Sequence, residues 1–132
     1  MIHSSKKIKA DLRSMWPMLK SESNLIWLRA KEYPSFDSLV ELEDVVSRCI
    51  EEYLDNPPGY ECEFNADRLM NAVWKYKYKF FGIAIGSLFR DRPGNHTLNI
   101  AMVKDMFWFV DPKVNDAWPG NKDTDQPYFV WR

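Results

Sequence analysis

Three residues have side chains fit for nucleophilic catalysis, in a workable chain order: Cys62, His96 and Asp111. Cys62 follows the breaker Pro57-Pro58-Gly59 and opens a predicted helix. A helix N-terminus offers unpaired N–H groups and a partial positive charge, and both stabilise a thiolate. His96 starts a predicted strand and is the candidate base. Asp111 ends the next strand and is the candidate carboxylate that orients the imidazole. In an antiparallel hairpin the start of one strand lies beside the end of the next, so His96 and Asp111 are predicted neighbours across a turn at Lys104-Asp105. Parity agrees: His96, Leu98 and Ile100 share one face, as do Phe107, Phe109 and Asp111. Cys62 meets His96 only if its helix packs on that same face.

The elements that must position these residues are legible as periodicities. Ile8, Leu12, Met15, Trp16 and Leu19 fall at helical spacing over residues 6–20, with Pro17 interrupting. Leu25 to Leu28 is a short apolar run, a candidate first strand. Leu42, Val45, Val46, Cys49, Ile50 and Tyr53 make a regular apolar stripe over 39–53, with Ser38 and Glu41 at capping-box spacing. Asp55 to Gly59 stops that helix. A second helix runs from Cys62 to Tyr76. The period then changes to that of strands: Phe80–Phe89 with Gly82 and Gly86, a polar turn over Arg90–Asn95, His96–Val103, and Met106–Val110. Asp111-Pro112 ends the ladder, residues 113–127 read as loop, and Tyr128–Trp131 reads as an edge strand. Helices first and strands after predict an α+β fold, with helices packed on an antiparallel meander. The 132 residues suit one domain. Within it, 1–58 is mainly helical, and 59–132 holds the Cys-led helix and the strands.

The stretch Tyr60-Glu61-Cys62-Glu63-Phe64-Asn65-Ala66 resembles the Cys-initiated helix of a papain-like family found in many bacteriophage proteins. That family is also similar to the C-terminal cysteine-peptidase domain of a mushroom agglutinin. Phe81-Gly82-Ile83-Ala84-Ile85-Gly86 looks like the family's Gly-containing strand, and His96-Thr97-Leu98-Asn99-Ile100 like its His-Ala-x-Asn strand. Phe107 to Lys113 looks like its aromatic strand ending in Glu-Pro-Gln, with Asp111 in place of the Glu and Lys113 in place of the Gln. The resemblance covers roughly residues 60–118. It implies a small papain-like fold, a Cys62–His96–Asp111 triad, a protein or peptide as substrate or partner, and a phage-encoded protein acting in the host cytoplasm.

Composition narrows the remaining classes. With 18 Lys+Arg against 19 Asp+Glu, the net charge of −1 argues against a duplex nucleic-acid binder. The mixed run Lys75-Tyr76-Lys77-Tyr78-Lys79 reads first as a solvated helix end, where lysines suit the dipole. Neither a membrane-spanning segment nor a signal peptide is visible, which favours the cytoplasm. Cys49 lies on an apolar stripe and reads as core. His3 is expected near a frayed terminus. Asn99, on the strand face opposite His96, is expected to make a structural hydrogen bond. The six tryptophans read mostly as core. A zinc site at Cys62, His96 and Asp111 ranks below the triad, because no short paired ligand spacing accompanies it. No metal or other cofactor is expected. A papain-like oxyanion hole wants a side-chain amide upstream of the nucleophile; the sole Gln, Gln126, is far downstream, and Asn56 is an available upstream amide that nothing singles out.

The reading is a cysteine hydrolase, most simply a peptidase acting through an acyl-enzyme thioester. The alternative is a catalytically inactive binding module of phage origin that recognises a host or phage protein.

Overall fold

The computed structural model describes residues 1–20, 24–26, 30–53 and 62–132. Its elements in chain order are β1 (Ile2–Ser4), α1 (Ser5–Met15), β2 (Leu25–Ile26), β3 (Glu32–Pro34), α2 (Leu39–Tyr53), α3 (Cys62–Tyr76), β4 (Phe81–Phe89), β5 (Arg92–Val103), β6 (Met106–Asp111), β7 (Asp116–Pro119) and β8 (Gln126–Trp131). The class is α+β.

The helices form where spacing and caps direct them. Ser4 caps α1 by accepting from the Lys7 N–H, and α1 ends at Trp16 as Pro17 starts a single 3-10 turn. The Ser38 hydroxyl accepts from the Glu41 N–H at the start of α2. The Glu41 carboxylate reaches back to accept from the Asp37 N–H, one residue beyond the Ser38 N–H of the reciprocal capping-box bond. The breaker at 55–59 and the candidate amide Asn56 lie outside the described residues.

Strands β4 to β6 form the expected meander, and β7 extends it. The full sheet has the order β2-β8-β4-β5-β6-β7. Three expectations change here. Strand β8 is not an edge: it lies between β2, to which it is parallel, and β4, to which it is antiparallel. The supposed loop 113–127 contains β7, paired with β6. A four-residue strand carrying Asp116 and Pro119 has little pattern of its own, and it forms because Trp118 buries beside Phe109. The polar turn is also shorter than expected. Only Arg90 and Asp91 turn, both with positive φ (51° and 61°), and β5 starts at Arg92. The loop before β8 holds that strained tip: the Asp125 carboxylate accepts from the Arg90 N–H, and the Thr124 carbonyl from the Asp91 N–H.

Strand alternation builds two apolar layers. Leu98, Ile100, Met102, Phe107 and Phe109 face Ile8 and Leu12 of α1. Phe81, Ile83, Ala101, Val103 and Val110 face α2 and α3 through Leu42, Val45, Val46, Ala66, Leu69 and Val73. Cys49 is buried in the second layer. Residues 1–4 do not fray. Strand β1 pairs with β3, His3 is buried, and its Nε2 lies 2.7 Å from the Lys104 carbonyl.

Candidate functional site

Cys62 is the first residue of α3, and its side chain lies outside the described atoms. The helix it opens packs on the second layer. Asn99 fixes that choice: its Nδ2 donates to the Ala66 carbonyl of α3 at 2.9 Å and to the Gly82 carbonyl of β4 at 3.0 Å. The structural role expected for Asn99 is therefore the one it plays. Thr97, Asn99, Ala101 and Val103 are the β5 residues on the α3 face.

His96 has the opposite parity. It pairs with Gly86, shares the face of Leu98 and Ile100, and is exposed. That face belongs to α1. The condition on which Cys62 and His96 could meet, α3 packing on the His96 face, is not the arrangement found. Asp111 does share the parity of Phe109 and so of His96. The β5–β6 ladder, however, ends at Asn99–Val110, and its continuation sets Asp111 opposite Leu98 rather than His96. The Asp111 Oδ1 instead accepts from the Lys113 N–H at 3.0 Å, a local turn. Among the described residues no hydrogen bond joins His96 to Asp111.

The other thiol, Cys49, is free and buried. Burial, with help from the nearby Glu52 charge, pushes the Cys49 pKa up from 9.0 to about 11. The basic–aromatic run is put to structural use. Lys77 and Lys79 both pair with Glu41 of α2, and Lys79 also donates to the Ser35 carbonyl. Burial pushes the Glu41 carboxyl up, but hydrogen bonds from Lys77 and the Asp37 N–H, with the Lys79 charge, outweigh it and hold Glu41 below its ordinary value.

A cavity of about 330 Å³ opens on the α1 side of the sheet. Asp11, Met15, Asp105, Met106 and Phe107 line it, with Lys7 at the rim, ion-paired to Asp11 at 2.7 Å. Met106 is half exposed there. Sequence inspection missed this site, because its walls come from α1 and from the β5–β6 turn, and no local pattern joins them. Among the described residues no group of three His, Cys, Asp or Glu side chains is placed to hold a metal ion, and no helix is long and apolar enough to cross a membrane. No protein-family model matches this chain, and no curated protein compared with it matches either.

Proposed function

We propose that this chain is a non-catalytic recognition module for a protein or peptide partner, built on an α+β scaffold that resembles the phage papain-like domains. One observation carries the reading: α3, which Cys62 opens, packs against the Thr97–Asn99–Ala101 face of β5, while His96 stands exposed on the other face. A thiolate–imidazole pair needs sulfur and ring nitrogen within hydrogen-bond reach. A shift of one residue in β5 separates the present arrangement from one in which the histidine faces α3. The hydrolase reading rests on the order of Cys62, His96 and Asp111, on the helix that Cys62 opens and on strand parity. The cavity beside α1 supports recognition instead. Met15, Met106 and Phe107 offer an adaptable apolar wall, and Asp11 and Asp105 favour a basic side chain.

The test is the pH profile of iodoacetamide alkylation at Cys62, read by mass spectrometry, in wild type and His96→Ala. Superimposable profiles are expected. A wild-type profile displaced toward acid by a pH unit or more, and restored by His96→Ala, overturns the non-catalytic reading. The recognition half is tested by selecting a displayed random-peptide library on the full chain. Enriched peptides that lose binding to Met106→Asp or Asp105→Lys are expected. Failure to enrich any such peptide overturns it.

A further inference from the structure

Arg132 is a buried cation held in an unusual way. Its guanidinium carbon lies 4.0 Å from the ring centroid of Trp74, 4.4 Å from Tyr33 and 5.1 Å from Tyr78. Among the described residues no carboxylate pairs with it. Among the described residues its one hydrogen bond to the backbone runs to the Lys79 carbonyl at 3.4 Å, near the limit for such a bond, and its buried Nε has no partner there. Burial pushes its pKa down, and the Tyr33 and Tyr78 phenols, with a hydrogen bond to the Tyr78 side chain, offset only part of that. The cation is thus recognised by three aromatic rings together with a hydrogen bond to the Tyr78 side chain.

The rings do not need Arg132 to stay in place. The Trp74 Nε1 donates to the Phe81 carbonyl at 2.7 Å. Tyr33 stacks on Tyr78, with centroids 6.2 Å apart, and packs edge-on against Phe80. Three elements therefore preform the walls: β3, α3 and the segment leading into β4. Access exists as well. Tyr78 is 52% exposed, and Arg132 lies beyond the last residue of β8, so it contributes no pair to the ladder. Withdrawing this side chain leaves the sheet pairing intact and returns an unsatisfied N–H to water.

We propose that Tyr33, Trp74 and Tyr78 form a guanidinium-binding cage that Arg132 fills in cis, and that the cage takes an external guanidinium when Arg132 is withdrawn. The ligand class is a flat, delocalised cation, supplied by an arginine side chain of a polypeptide or by a small free guanidinium compound. In the intact chain the tethered Arg132 competes as an intramolecular ligand, at an effective concentration on the order of millimolar. This proposal stands apart from the fate of Cys62 and His96.

The experiment measures the Tm of the full chain as wild type, Arg132→Ala and Arg132→Ala/Trp74→Leu, each titrated with methylguanidinium or N-acetyl-arginine methylamide. Sodium chloride of equal ionic strength is the control. In Arg132→Ala both probes are expected to raise Tm saturably by about 3–5 °C, as a ligand of the folded state does. Wild type is expected to need at least tenfold more probe, and the Trp74→Leu double variant is expected to show no saturable rise. Rescue by the peptide-like probe alone identifies a polypeptide arginine as the ligand; rescue by both admits free guanidinium compounds. Equal, unsaturating responses in wild type and Arg132→Ala overturn the proposal. If Arg132→Ala does not fold, Arg132→Gln takes its place. If neither folds alone, recovery of folding by the probe during refolding is the readout, and no recovery overturns the proposal.

Discussion

The side-chain amide of Asn99 donates to the main-chain carbonyl of Ala66 at 2.9 Å, joining the centre of β5 to the second turn of α3. This bond decides which face of the sheet the Cys62-led helix covers. It also leaves His96, three residues earlier on β5, on the other face. Asn99→Ala removes both amide bonds and leaves the Ala66 and Gly82 carbonyls to find other partners in a fully buried place. It should cost about 2–4 kcal/mol of unfolding free energy. The check is a urea denaturation curve with a lower midpoint and an unchanged slope.

Asp125 is buried and accepts three hydrogen bonds, from the Arg90 N–H, the Trp118 Nε1 and the Asn121 N–H. Arg90 in turn lies over the Trp118 ring and pairs with Asp116. Asp125→Ala should destabilise the fold by about 2–4 kcal/mol, because the buried Trp118 Nε1 and the part-buried N–H groups of Arg90 and Asn121 lose their acceptor. Amide hydrogen exchange at Arg90 and Asn121 should rise well above the change seen in α2.

Asp91 sits at φ 61°, a conformation open to glycine without a side-chain penalty. Its N–H bond to the Thr124 carbonyl survives substitution. Asp91→Gly should therefore leave stability unchanged or raise it by up to about 1 kcal/mol, whereas Asp91→Val should lower it. In thermal melts Asp91→Gly should match or exceed the wild-type midpoint, and Asp91→Val should fall below it.

Cys49 gives a pH dependence with a definite sign. Its folded pKa is raised, so the unfolded thiol loses its proton first as pH rises. Between about 9 and about 11 the folded state binds more protons, and stability falls as pH increases. Cys49→Ala should lack that component, so the wild type's loss of stability across this window should be steeper. Paired urea curves at pH 8 and pH 10 measure the difference. Cys49 should also resist iodoacetamide in the native state and react once unfolded.

Much of the fold was legible because its signals are local. The apolar stripe of α2, the interruption at Pro17 and the two-residue turn at Lys104-Asp105 follow from spacing and from proline's missing N–H. Strand β7 and the interior place of β8 were not legible. Neither Asp116–Pro119 nor Gln126–Trp131 records which strand it pairs with, and the pairing is set by Trp118 and Val130 burying in the α1-side layer. His3 was misread for the same reason: its partners, Tyr33 and the Lys104 carbonyl, are distant in sequence.

For the candidate site the division is sharper. The sequence by itself determined that Cys62 begins a helix, that His96 and Asp111 lie on neighbouring strands with common parity, and that Asn99 faces the other way, since each is a matter of period and punctuation. Only the tertiary structure decided which face of the sheet received α3, and which rings gathered around Arg132. A helix carries its apolar stripe to whichever face offers complementary volume and a partner for its buried polar groups. That choice depends on side chains far apart in the chain, and no window along the sequence contains them together.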